Sequence, residues 1–416
     1  MDTGKKLKMA MIGGGEESWM GPVHRAAAAA TGKIEFITGA FGSTRQRSFD
    51  SGQAMGMPPG RVYGAYRDML RRESSRPPEA DPDFVAIAAP NSMHYPIAMA
   101  AFDAGFHVLT EAPMTTNLDE ALNLKRKMLD VKRELGVTYT YSAFPMIRQA
   151  RVMIRRGAIG NLRKIVITYP QGWLAQRLET QGNRHASWRT DQRRCGLCGS
   201  MMDVGMHCAH LMEFLAGVPL KEVNADLHTF VAGRVLDDDS GAFVRLDKNI
   251  KGLIVASQIS IGRWGRLKVE MYGDKGALSW RLDQPDRLRF HGLDDEVKIM
   301  QAKPGPLDKL EIPADVTMPL GLDAPYFRAL VSIYDAFADR LLALKNGKEP
   351  GVAMYPQIDE GIRATAFMEA VYRNAKGPEG ERWTPLVFQP MTGALGKASV
   401  AAPPTTNYNT TPVAED

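Results

Sequence analysis

Asp203 and His207 stand four residues apart in the segment 201–215, a spacing that puts both on one face of a helix. His210 and Phe214 continue that face, while Val204, Cys208, Leu211 and Leu215 form an apolar stripe that would anchor it in a core. An imidazole with an ordinary pKa of about 6.5 suits taking a proton from a substrate hydroxyl. The carboxylate could orient substrate or ring. The competing reading is a polar helix face without chemistry.

A second cluster lies near the N-terminus. Gly13-Gly14-Gly15 ends the apolar run 8–12, and Gly21-Pro22-Val23-His24 opens a helical stretch. Glycines here let the backbone turn sharply and approach a pyrophosphate, whose charge a helix N-terminus favours. The spacing of Gly13, Gly15 and Gly21 is three residues longer than GxGxxG, and a plain strand-to-helix turn is the alternative. The next strand ends at Gly39-Ala40-Phe41-Gly42-Ser43-Thr44-Arg45-Gln46-Arg47, with no carboxylate to hold ribose hydroxyls. Ser43, Arg45 and Arg47 could accept a 2′-phosphate, or be an N-cap (Ser43) and a solvated helix face. NAD and NADP both stay open.

The elements that must position these clusters follow from the pattern. Apolar runs at 8–12, 34–40, 84–88, 107–110 and 137–141 alternate with helical stretches such as 95–104 and 118–134. This predicts an α/β chain whose residues 1–143 form a doubly wound parallel sheet. Beyond Phe144 a helix over 145–156 leads into strand-rich sequence with turns at 247–249 and 273–276. Residues 144–388 are expected to be an α+β domain with a largely antiparallel open sheet, closed by helices over 326–345 and 357–375. The segment 389–416, rich in Pro, Thr, Ala and Asn, reads as a flexible tail or an arm on a partner subunit.

Composition excludes other classes. The net charge of +5, from 52 basic and 47 acidic residues, gives no support to nucleic-acid or membrane-surface binding. No apolar run approaches the roughly 18 residues of a membrane span, and residues 1–6 show no signal-peptide core. Three cysteines in 416 residues are no disulfide framework and suit a reducing compartment, so a cytoplasmic protein is expected. Cys195 and Cys198, with His207 and Cys208 downstream, invite a zinc reading. The spacing is wrong for a finger, and no metal is expected.

Three further motifs make the sequence specific. Ala89-Pro90-Asn91-Ser92-Met93-His94-Tyr95-Pro96, then Glu111-Ala112-Pro113, then Asp203-Val204-Gly205-Met206-His207, follow in this order and resemble the Gfo/Idh/MocA oxidoreductase family. Gly157-Ala158-Ile159-Gly160, Trp188-Arg189 and Gly273-Asp274-Lys275-Gly276-Ala277-Leu278 extend the resemblance over about residues 8–385. It implies a Rossmann domain binding NAD or NADP, and a second domain whose open sheet makes homo-oligomer contacts, as a dimer or tetramer. It also implies hydride transfer between nicotinamide and a carbohydrate or cyclitol. Pro90 and Asn91 would lie along the nicotinamide, with His94 in the same motif. Glu111 would lie near the ribose, and Pro113 would follow a cis peptide. The glycines and His24 would complete the cofactor site, and Asp203 and His207 would face the reacting hydroxyl.

The family's motif has lysine where this chain has Ala112. That lysine would bond the reacting oxygen and stabilise the charge developing on it. Either Ala112 is a deliberate replacement in an otherwise intact site, or the chain naturally uses another group or has lost the chemistry. Between Trp173 and Arg194, the residues Arg177, Arg184, His185, Arg189, Arg193 and Arg194 face only Glu179 and Asp191. They would suit an acidic sugar, or pair with carboxylates of the chain itself. Trp173 and Trp188 could stack on a sugar ring. Two other functions remain: a glycoside hydrolase that oxidises its sugar transiently and re-reduces it, and a non-catalytic ligand sensor.

Overall fold

A computed structural model of the chain describes residues 6–388, apart from 264, 295, 304, 320 and 378–381. The expected tail at 389–416 lies outside the described residues. The first domain runs β1 (Leu7–Gly13), α1 (Gly21–Ala30), β2 (Ile34–Ala40), α2 (Arg45–Ala54), α3 (Tyr66–Glu73), β3 (Phe84–Ala88), α4 (His94–Asp103), β4 (His107–Thr110), α5 (Leu118–Asp130) and β5 (Leu135–Val137). Its strands pair in parallel in the order β2-β1-β3-β4-β5. Strands such as β1 and β3 read as nearly unbroken apolar runs because helices cover both sheet faces.

An isolated parallel bridge joins Gly39 of β2 to Val62. Counting that residue as an edge position completes the 3-2-1-4-5-6 order of a dinucleotide-binding sheet. Strand order reverses between β1 and β3, which opens a crevice at their carboxyl ends. The expected strand over 137–141 is a correction. Pairing stops at Val137, and Thr140–Ala143 turns as a 3-10 segment, all of it buried.

The second domain continues with α6 (Pro145–Arg155), β6 (Leu162–Pro170), α7 (Arg184–Arg189), α8 (Gln192–Cys195) and α9 (Met206–Ala216). Then come β7 (Leu220–His228), β8 (Asp239–Leu246), β9 (Lys251–Ser257), β10 (Lys268–Gly273), β11 (Gly276–Arg281), β12 (Arg287–Gly292) and β13 (Val297–Gln301). Two long helices, α10 (Ala324–Lys345) and α11 (Ile358–Lys376), and the short β14 (Thr384–Pro385) close the chain. Among the described residues the sheet order is β13-β12-β11-β10-β6-β9-β8-β7-β14, antiparallel except for the β6–β9 pair. Both expected turns join antiparallel neighbours, at Asp247–Asn249 and between β10 and β11.

The closing helices return to the first domain. On α10, Phe337 packs edge-on against Phe84 of β3, and Arg340 pairs with Glu134 at 2.8 Å. From α11, the Glu369 carboxylate accepts the Leu118 N–H at 2.7 Å. Among the described residues no helix is long and apolar enough to cross a membrane.

Candidate active site

The glycine turn sits at the crevice. Gly13 and Gly14 have φ of 76° and 67°, values that glycine adopts without the roughly 1–2 kcal/mol penalty of other residues. The Gly14 N–H bonds the Ala88 carbonyl at 2.9 Å, and a Cβ on Gly13 would overlap that carbonyl. A Cβ on Gly21 would overlap the backbone of Gly14. At the start of α1 the Gly21 N–H bonds the Ser18 hydroxyl at 3.1 Å and Pro22 has no N–H, so the helix dipole and the side-chain-free glycine surface, rather than open helix donors, favour an anion here. A pyrophosphate fits this cradle on steric and electrostatic grounds.

Beyond β2, Ser43, Arg45 and Arg47 are exposed. The N-cap of α2 is Thr44 rather than Ser43: its side chain accepts the Arg47 N–H at 3.3 Å. Arg45 lies over the Phe49 ring at 5.5 Å.

The turns after β3 and β4 meet through histidine. His94 is buried, with Nδ1 2.6 Å from the Pro113 carbonyl and Nε2 2.8 Å from the Ala89 carbonyl. It ties Ala89-Pro90-Asn91 to Glu111-Ala112-Pro113 and does not open to a ligand. Asn91 is also buried, donating from Nδ2 to the Cys195 carbonyl at 2.9 Å. The Ala112–Pro113 peptide is cis. His24 is buried as well, with Nε2 2.6 Å from Glu111 Oε1 and Nδ1 2.8 Å from the Tyr334 hydroxyl. Both histidines, expected beside the cofactor, therefore support the site from behind. Burial would raise the Glu111 carboxyl, but His24, Thr138 and the nearby His207 hold it below its ordinary value. Glu111 is a fixed negative charge at the end of β4.

The second domain brings Asp203 and His207 to this wall. The segment is not uniform α-helix: Met201–Gly205 forms a π turn that runs into α9. Such turns recur at functional sites. Asp237, in the β7–β8 connection, organises its start. Its carboxylate accepts the Gly199 N–H (2.6 Å), the Met201 N–H (2.9 Å) and the Ser200 hydroxyl (2.8 Å).

Asp203 accepts from Arg189 Nε at 3.0 Å and from Gln258 Nε2 at 2.6 Å. His207 meets the rings of Tyr139 and Tyr141 edge-on, with centroids 5.7 and 5.3 Å away. Its Nδ1 is buried without a hydrogen-bond partner. Burial lowers the His207 pKa, opposed by the charges of Glu111 and Asp203. The expected apolar stripe holds, with Val204, Cys208, Leu211 and Leu215 buried. His210 stacks on Tyr139 at 4.2 Å.

The arginine-rich segment is paired within the chain. Arg184 bonds Glu17, Arg189 bonds Asp203, and Arg177 and Arg193 lie 4.0 and 3.5 Å from Glu179 and Asp191. Trp19, between the glycine turn and α1, stacks on His185 at 3.9 Å and meets Trp173 edge-on at 5.1 Å. Burial and the charges of Arg189 and Arg184 push His185 down to about 4, so the ring in this stack is neutral near pH 7.

Arg234 anchors the same segment. It lies 3.0 Å from Glu179 and 3.4 Å from Asp238, and donates to the Leu174 and Gln176 carbonyls at 2.7 Å. Replacing Arg234 by Ala leaves Asp238 with only its backbone N–H partners and Glu179 with only the more distant Arg177, and should cost about 3 kcal/mol of stability, measured by urea unfolding. A loss under about 1 kcal/mol would mean that the pair is solvated.

Sequence reading missed Trp19, Asp237 and Gln258. A tryptophan inside an overlong glycine motif was the available signal for Trp19. The carboxylate run Asp237-Asp238-Asp239 was one for Asp237. Cys195, Cys198 and Cys208 are buried free thiols, and no three His, Cys, Asp or Glu among the described residues are placed to hold a metal.

Known proteins share this fold. Residues 7–140 match the oxidoreductase family's NAD-binding Rossmann fold, and 147–279 match the GFO/IDH/MocA C-terminal domain. The uncharacterized oxidoreductase YfiI of Bacillus subtilis is 28% identical over 392 residues, 91% of this chain and 96% of YfiI. Levoglucosan dehydrogenase of Pseudarthrobacter phenanthrenivorans is 27% identical over 241 residues, 52% of this chain and 60% of that one.

An inositol dehydrogenase homologue from Azotobacter vinelandii, solved with NAD+, has a TM-score of 0.84 at 28% identity, covering 92% of this chain and 98% of its own. A second structure of such a homologue from that organism contains NADH and myo-inositol, with a TM-score of 0.80 at 28% identity and the same coverage. Both halves are matched in order across the fold. The chain belongs to the GFO/IDH/MocA oxidoreductase family, with an NAD-binding Rossmann domain.

Proposed function

We propose that this chain oxidises a secondary hydroxyl of a neutral carbohydrate or cyclitol, with His207 as the base. The observation that carries the reading is the meeting of His207 with the wall built by Tyr139, Tyr141 and Glu111. The substrates named for levoglucosan dehydrogenase and for the myo-inositol complex support the substrate class. NAD, when bound, supplies the hydride acceptor.

His207 Nδ1 is enclosed, so Nε2 is the ring nitrogen that meets the hydroxyl proton. Asp203 and Glu111 steady the positive charge that the ring then carries. Pro90 and Ala112 border the nicotinamide side, and buried Asn91, His94 and His24 hold that border in place. Paired arginines favour a neutral polyol over an acidic sugar. Incubation with NAD+ and a panel of neutral and acidic sugars and cyclitols tests this by absorbance of the reduced nicotinamide. Reduction with neutral members is expected. Glycoside cleavage without net reduction, or preference for acidic members, would overturn it.

The pH profile follows from the same charges. His207 must be neutral to act, and burial holds its pKa below the ordinary value of about 6.5. The acid limb of kcat/KM should therefore fall below about pH 6.5. Asp203→Asn removes a charge that raises this pKa, so the limb should move to lower pH. A limb that moves upward would contradict the assignment.

We also infer a homo-oligomer, built on the second sheet. Phe243 on β8 and Val297 and Ile299 on β13 are exposed on this open sheet, and apolar side chains there suit burial against a second copy. Light scattering that finds a monomer would remove this part.

A further inference from the structure

Ala112 leaves the site without the ammonium that would hold the reacting oxygen, and the neighbouring polar side chains are buried and turned to other partners or enclosed. Buried Asn91 gives one amide hydrogen to the Cys195 carbonyl (2.9 Å), and buried Gln258 gives one to Asp203 (2.6 Å). One hydrogen joins the buried hydroxyls of Tyr141 and Tyr169 at 2.5 Å, and the hydroxyl of Tyr139 is fully enclosed.

Arg189 differs. Its guanidinium carbon lies 4.1 Å from the Trp188 ring centroid, 5.5 Å from that of Trp19 and 5.6 Å from that of Trp173. Aromatic rings from both domains thus surround a fixed cation. Of the five N–H donors of a guanidinium, Nε serves Asp203 at 3.0 Å and one NH1 hydrogen serves the His185 carbonyl at 3.4 Å. Three donors remain, on a side chain 17% exposed. The charge also reaches the Cys195 thiol, whose own carbonyl holds Asn91 on the nicotinamide side.

We propose that Arg189 replaces the motif's lysine: its caged guanidinium bonds the substrate oxygen and stabilises the negative charge developing there. The inference rests on the function proposed above. Arg189 keeps all its protons, since the hydroxyl proton goes to His207. Its contribution is charge and hydrogen bonding, held in place by Asp203 and the tryptophans before substrate arrives.

The test compares Arg189→Met, Arg189→Lys, Ala112→Lys and the Arg189→Met/Ala112→Lys double variant. Each is assayed for kcat and KM on the best polyol of the panel, and for NADH affinity by fluorescence. Arg189→Met should lose about a hundredfold or more in kcat with NADH affinity kept, and Arg189→Lys should lose less. Ala112→Lys should recover at least about tenfold in the Met background, yet add little to the parent. A merely structural Arg189 would not be rescued from position 112, and that result overturns the proposal. So does an Arg189→Met variant that keeps the parent's kcat, which leaves the proposed function standing, whereas an inert parent that gains turnover only with Ala112→Lys overturns both. If no variant reduces NAD+ with any polyol, the proposed function fails, and this inference with it.

Discussion

Replacing His207 by Asn should lower kcat by a factor on the order of 10²–10⁴, the usual contribution of a positioned base, without weakening NAD+ binding. The separation is structural. His207 belongs to α9 and packs on Tyr139 and Tyr141, whereas the pyrophosphate cradle is Gly13, Gly14 and the start of α1. Asn keeps a polar group of similar reach but cannot carry the proton. Steady-state rates on the preferred polyol, with NAD+ affinity by calorimetry, check both halves. A kcat within about fivefold of the parent would show that another group takes the proton.

The second large effect is at the other end of the crevice. A Cβ at Gly21 would overlap the carbonyl of Gly14, so Gly21→Ala must push the turn away from α1. The NAD+ dissociation constant should rise by about a hundredfold, equivalent to about 2.7 kcal/mol. The fold should survive, because Gly21 lies at the crevice end of α1 and the helix keeps Val23, Ala27 and Ala28 in the core. Circular dichroism and the unfolding temperature verify that. Unchanged affinity in a folded variant would mean that the cofactor phosphates lie elsewhere.

What the sequence disclosed divides along physical lines. The β1 turn and the hairpins at 247–249 and 273–276 were legible because glycine and turn residues act on their immediate neighbours. The apolar stripe of α9 was legible for the same reason.

The π turn at Met201–Gly205 was not. It is bonded at its start by Asp237, up to 38 residues away, and nothing local signals that partner. His24 looked like a cofactor residue because it follows the glycines. Its true partners are Glu111 and Tyr334, 87 and 310 residues on, and only the folded α10 brings Tyr334 near. The arginines between 177 and 193 looked unbalanced because the carboxylates of Glu17 and Asp203 lie outside that stretch. Ser43 and Thr44 were equivalent as caps by composition. Backbone geometry chose Thr44.

The gap at Ala112 also reads differently in three dimensions. In the sequence it is a missing cation, and the proposed substitute, Arg189, is bonded to Asp203 and ringed by Trp19, Trp173 and Trp188.

In the proposed reaction hydride passes directly from the polyol carbon to the nicotinamide, with His207 taking the hydroxyl proton. The most direct test uses a polyol deuterated at the reacting carbon, incubated with NAD+ and the purified protein, followed by mass and NMR analysis of the nucleotide. One deuterium should appear at C4 of the nicotinamide, on a single face, matched by loss from the polyol. Deuterium appearing in solvent, or remaining on a polyol that is nonetheless converted, would contradict it.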